Sequence, residues 1–168
     1  MKASKLTLSL IVILSTMKKL IVILFILFNC SLWAQSNEED VQGYWLNEKG
    51  ASIVEVYILD GELRGRIVWL EDKFDDFGQP KRDVMNNDPK LRSRLLIGID
   101  VFFDFEFKKD TWKHGHVYNY LNGHQYNAKL KIDEDGNLIW TGYYGILVFL
   151  SRTKKWTRVT DLQKYGLE

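Results

Sequence analysis

Two histidines two positions apart, His114 and His116, are the first residues whose spacing could do chemistry. On an extended strand, residues i and i+2 point to one face, so both imidazoles could reach one divalent ion. His124 follows across a turn and could add a third ligand. An open fourth position would then activate water for a hydrolase. The same side chains are explained as solvated polar groups beside a hairpin, and a lone H-x-H is a weak motif. The acids Glu71, Asp72, Asp75, Asp76, Asp83 and Asp88 lack the D-x-[DN]-x-[DN]-G spacing of a calcium loop. No metal is assigned.

Nucleophilic catalysis finds no motif. There is no G-x-S-x-G, and Ser52, Ser93 and Ser151 lie in no recognisable pattern. The chain is therefore expected to be no enzyme and to use no cofactor. Arg92 and Arg94, near Asp83 and Asn86, could hold the carboxylate or phosphate of a ligand. Charges this close in sequence also tend to pair locally, here with Asp83 and Asp88. The aromatics are the remaining clue: 20 of them fall after residue 34. Trp69, Phe103, Phe105, Tyr126 and Trp140 are expected on one inward face, where rings either fill a core or line an apolar pocket.

The elements that must position these residues have a period of two. Ile99, Val101, Phe103, Phe105 and Phe107 alternate with more polar neighbours, as do Leu63, Gly65, Ile67 and Trp69, and Tyr126, Ala128, Leu130 and Ile132. Strands are expected near 42–47, 51–59, 62–70, 96–108, 115–120, 124–132, 137–144, 146–151 and 155–159. Asp60-Gly61, Asn122-Gly123 and Asp135-Gly136 are hairpin signals between them, with Glu48-Lys49-Gly50 a looser one. Many short strands joined by hairpins predict an all-β, antiparallel up-and-down barrel of about eight to ten strands, because closure removes exposed edges. The segment 71–94 breaks the rhythm. Asp88-Pro89 predicts an N-cap and a short helix to about Leu95, inside a long loop that is either a lid or a solvated connection.

Residues 1–34 read as an address. They hold four lysines and no acid, which leaves 19 basic against 22 acidic residues afterwards. From Met17, Lys18 and Lys19 precede the apolar run Leu20 to Phe28, and Ala34 marks a cleavage point. Export to the periplasm or beyond is expected, with Met17 as the true start. Rival readings are an uncleaved anchor over 6–28 and lipidation at Cys30. These are the only expected membrane contacts. A flexible lead over 35–40, a barrel over 41–159 and a tail over 160–168 complete the layout. Without an extended positive block, nucleic acid is not an expected partner. Cleavage after Ala34 leaves no cysteine, so the domain needs no disulfide.

The motifs follow an ordered series. It runs Gly43-Tyr44-Trp45, Gly65-Arg66-Ile67-Val68-Trp69, Asp83-x-x-Asn86 and Leu91-Arg92-Ser93-Arg94. It continues through Trp112, Gly115, Tyr118 and Gly123 to Gly142-Tyr143-Tyr144-Gly145 and Arg152-Thr153-x-x-Trp156-Thr157-Arg158. In this it resembles the exported bacterial family called domain of unknown function 2147. The resemblance implies a calycin-type, lipocalin-like barrel and no established activity. In such barrels a G-x-W strand meets a basic residue of the last strand. Gly43, Trp45 and either Arg152 or Arg158, near Trp156, match that structural arrangement through a cation–π contact. The expected function is the binding of a small apolar or amphipathic ligand by a monomer. The alternatives are an envelope partner-binding protein with a filled core, or a metal-dependent hydrolase at His114 and His116.

Overall fold

The computed structural model describes residues 14–19, 37–145 and 147–167. Residues 14–19 are helical; the rest of the expected leader, with Cys30 and Ala34, lies outside the described residues.

Eight antiparallel strands follow one another around a closed barrel. They are β1 (Gly43–Leu46), β2 (Ser52–Leu59), β3 (Glu62–Leu70), β4 (Asp100–Lys108), β5 (Thr111–Asn119), β6 (His124–Ile132), β7 (Leu138–Tyr144) and β8 (Leu147–Val159). Closure comes from β8 returning to β1, with Trp45 opposite Arg158. The Asp60-Gly61 turn has φ of 53° and 79°, the two left-handed residues that a tight hairpin twist needs. Lys109 and Asp110 make the same turn at 55° and 76° without a glycine, which is why the sequence pattern did not mark it. The expected strands 146–151 and 155–159 are one strand, β8.

The base of the barrel, where the Asp60-Gly61 turn lies, is packed. Trp45, Leu63, Phe105, Trp112, Leu130 and Leu138 are all essentially inaccessible there. Each such side chain contributes about 1.5–3 kcal/mol by leaving water. The residues leading into β1 pack onto this base. Residues Glu38–Val41 form a 3-10 turn, Val41 is buried, and the Val41 carbonyl accepts from Trp45 Nε1 at 2.8 Å. Arg158 stands over the Trp45 ring at 4.2 Å, and its guanidinium donates to the carbonyls of Gln42 (2.7 Å) and Asp40. Gly43 makes room, since a Cβ there would lie 2.5 Å from Arg158 Nη1. The tail also folds back: Tyr165 meets Trp69 edge-on at 5.0 Å.

The long connection between β3 and β4 is a fastened strap. The short helix expected in it is a single 3-10 turn, Pro89–Leu91, whose Lys90 N–H donates to Asp88. It stops short of Leu95 because Arg82 and Leu95 pair as an isolated bridge. Leu96 and Ile99 enter the core. Gly123, at φ 72°, lies so close to the strap that a Cβ would overlap the Met85 carbonyl.

Candidate functional site

Above the packed base the barrel is hollow. A cavity of about 560 Å³ opens at the end formed by the β1–β2 loop and the β5–β6 turn. Its floor is aromatic. Phe102 stacks on Trp156 at 5.2 Å, and Trp140 meets Trp156 edge-on at 5.9 Å and Phe102 at 6.1 Å. Three inward glycines let these large rings fit. A Cβ at Gly65 would lie 2.8 Å from Phe102, one at Gly115 2.1 Å from Phe105, and one at Gly142 3.1 Å from Trp140.

Of the residues expected to line a pocket, Tyr126 and Trp140 do. The others are placed elsewhere, each for a local reason. On β4, Asp104 takes φ 62°, so the alternation slips by one. Phe102 and Phe105 are both fully buried and in edge-on contact at 6.0 Å, while Phe103 is displaced to the outside against His116 at 5.6 Å. Phe105 belongs to the packed base below the cavity. On β3, Ile53 faces Trp69 while Val54 faces Ile67, so Val68 is an extra residue. That bulge turns Trp69 out toward Tyr165.

Arg92 and Arg94 do not reach the cavity. Arg92 Nε donates to the Asn86 carbonyl at 2.7 Å. Arg94 donates to Asp83 through Nε at 2.9 Å and Nη2 at 2.8 Å. Asp83 is fully buried and also accepts from the Tyr118 hydroxyl at 2.6 Å and from Asn86 Nδ2 at 2.7 Å. Burial, and then the bond to Asp83, push the Tyr118 hydroxyl up to about 12. Asp83 is thus the hub that fastens the strap to β5. A wider groove of about 940 Å³ runs outside the barrel beside the strap. The guanidinium groups that line it, Arg64 and Arg94, are already paired with carboxylates.

The histidine pair flanks a β-bulge. His114 sits at φ 60° in a β-bulge, where Trp112 pairs with Leu130 but Gly115 with Ala128. Gly115 rather than His114 turns inward, beneath the Phe105 ring. Among the described residues, no three His, Cys, Asp or Glu side chains are grouped to hold a metal ion.

Sequence reasoning missed the inward row of β8. Leu150, Arg152, Lys154 and Trp156 all line the cavity, opposite Gly142 and Trp140 of β7. Arg158, at the base, is the residue that closes over Trp45, which leaves Arg152 without that structural duty. The signal was the two-residue spacing from Trp156 back to Leu150, hidden by the charges within it. Ser52 and Tyr120 add polar atoms to the wall. Asn47 Nδ2 donates to Ser52 Oγ at 2.7 Å, and burial raises the Tyr120 hydroxyl above its ordinary value.

A solved Helicobacter pylori structure, described as a protein that belongs to the lipocalin family, superposes with a TM-score of 0.66. The match covers 76% of this chain and 90% of that one at 24% identity, which speaks for the fold. No curated protein matches this chain by sequence. Residues 43–158 match the model of a family described as uncharacterized proteins conserved in bacteria, DUF2147. That span takes in all the strands but the last residue of β8, including the aromatic floor and the inward row above it. This chain is a member of the DUF2147 family, built as a lipocalin-like barrel.

Proposed function

We propose that this protein is an exported, monomeric carrier that holds a small apolar or amphipathic molecule in the upper half of its barrel. One observation carries the reading: about 560 Å³ of open space above the Phe102–Trp140–Trp156 floor. Cavities of roughly 300–1,000 Å³ with apolar walls and a few polar groups are the usual form of a small-molecule site. A barrel of eight strands is just wide enough either to fill itself or to hold one such ligand. Here the base is filled and the mouth half is not. The run of lysines and apolar residues before Ala34 supports export, and the absence of a mature cysteine suits an oxidising compartment.

Native mass spectrometry of protein recovered from a bacterial envelope tests this. A native mass exceeding the denatured mass by on the order of a few hundred daltons, the size of such ligands, is expected. In parallel, the neutral fluorophore N-phenyl-1-naphthylamine should brighten on binding. Val117→Trp, which places a ring in the cavity, should abolish that signal while the protein still melts cooperatively. Equal masses together with no probe binding would overturn the reading.

A further inference from the structure

The chain has seven arginines. Six have partners. Arg64 pairs with Glu62 and Asp100, Arg66 with Glu55, and Arg94 with Asp83. Arg82 donates to the Ser93 carbonyl and Arg92 to that of Asn86. Arg158 is held by Trp45 and two carbonyls. Among the described residues Arg152 has none, and it is the one arginine that lines the barrel cavity.

Its position follows from the register. Trp156 is buried at the floor, so Lys154 and Arg152, two and four residues earlier on β8, share its face. Arg152 lies opposite Gly142, which offers no side chain to cover it. Cations on this face of the strand reverse the usual apolar-in alternation, and Arg152 is exposed to solvent at the mouth with its guanidinium free to meet a ligand. Lys154 pairs with Glu48 of the β1–β2 loop. Lys49, also on the cavity wall, has no side-chain partner among the described residues. The cavity therefore carries Lys49, Arg152 and Lys154 against the single carboxylate of Glu48. This concentration of positive charge stands in a domain that is otherwise slightly acidic, with 22 acids against 19 bases after residue 34.

We propose that the cavity selects an amphiphile with an anionic headgroup. Its apolar part lies over Phe102, Trp140 and Trp156, and its carboxylate or phosphate meets the Arg152 guanidinium with Lys49 beside it. A planar guanidinium matches either oxyanion with two parallel hydrogen bonds. The inference rests on the carrier reading above and adds the chemistry of the ligand's polar end.

The test compares probes of one chain length, dodecanoate, dodecyl phosphate and dodecanol, each below its micelle concentration, by quenching of tryptophan fluorescence. The wild-type protein should bind at least one of the two anions about tenfold more tightly than the alcohol, the gain expected of a charge-assisted bond at a solvent-facing site. Arg152→Met should bring the ratio of anion to dodecanol affinity down toward one. Arg152→Lys should keep part of the preference. Arg152 is exposed to solvent and has no hydrogen-bond or ion-pair partner among the described residues, so melting curves of both variants should overlay the wild type. The carboxylate and phosphate arms identify which oxyanion the site prefers. Equal binding of alcohol and anions, or a preference that survives Arg152→Met, overturns the anionic assignment while the carrier reading stands. Failure of all three probes to bind overturns the anionic assignment; the carrier reading falls with it only where N-phenyl-1-naphthylamine also fails to bind and the native and denatured masses agree.

Discussion

At the scale of single residues, the barrel is shaped by contacts that a pattern of apolar letters does not encode. Gly115 is buried beneath Phe105, and a Cβ would stand 2.1 Å from that ring. Gly115→Ala is therefore expected to cost about 1–3 kcal/mol, the usual penalty for overpacking. It should lower the urea midpoint without changing the slope. Gly142→Ala, where the nearest ring atom is 3.1 Å away, should cost less. Arg158→Met removes a ring contact at 4.2 Å and two bonds to carbonyls. A loss of about 1–3 kcal/mol is expected in the same melts. The role of Trp45 and one basic residue of β8 was legible in the sequence, from the G-x-W signature and a basic residue late in the chain. Which arginine does it was not, because both Arg152 and Arg158 share the inward parity. Asp104 and His114 were illegible for a related reason. Nothing in an alternating pattern announces a non-glycine residue at positive φ, and one such residue reverses the facing of every side chain beyond it. That single slip on β4 sent Phe103 outward and brought Phe102 to the cavity floor.

At the scale of elements, the strap and the β6–β7 turn show how polar side chains fix segments that have little apolar surface. Removing Asp83 leaves the buried Tyr118 hydroxyl without its acceptor and takes one of two acceptors from the Asn86 amide, which still donates to the Tyr118 oxygen at 3.0 Å. Arg94 is partly exposed and can turn to water. Asp83→Ala is expected to cost about 1–3 kcal/mol, chiefly from the orphaned Tyr118 hydroxyl. It should also speed tryptic cleavage within residues 71–99 well beyond the change in global stability. Unaltered cleavage would show that the strap is held by Leu96 and Ile99 alone. In the β6–β7 turn, burial works against the Asp133 carboxylate. The backbone N–H of Asn137 at 2.8 Å and the Lys155 ammonium at 3.0 Å outweigh it and hold its pKa down to about 2. A depressed carboxyl stabilises the fold above its unfolded value, ordinarily 3.8, and loses that contribution as pH falls through about 2. The urea midpoint of the wild type should therefore fall between about pH 4 and pH 2 more steeply than that of Asp133→Asn. Turn chemistry made this hairpin legible through Asp135-Gly136. The strap's fastening was not legible, because it depends on Tyr118, which lies 35 residues beyond Asp83.

At the scale of the whole molecule, closure decides how the barrel comes apart. The series of hairpins was legible, and so was the need to bury edges. The length of β8 was not, because the charged run from Arg152 to Lys155 reads as a break between two short strands. It is instead the wall of the cavity, where charged side chains replace the apolar pattern that would have declared one strand. Each of the eight strands hydrogen-bonds to both neighbours, and β1 is held by β2 on one side and β8 on the other. No strand can leave without opening two ladders and exposing the core at the base. The hollow upper half has fewer apolar contacts of its own, yet its walls are the same strands that pack the base. The barrel is therefore expected to unfold in one step despite this uneven filling. The native tryptophans report on both regions: Trp45 and Trp112 lie in the packed base, Trp140 and Trp156 at the cavity floor. Single-tryptophan variants retaining Trp45 or Trp156, followed by fluorescence in urea, should give midpoints that coincide with each other and with the far-ultraviolet dichroism of the same variant. A Trp156 signal that melts at lower urea than Trp45 would mean that the hollow half opens as a separate unit while the packed base still holds, so that the cavity is exposed by local unfolding as well as through its mouth.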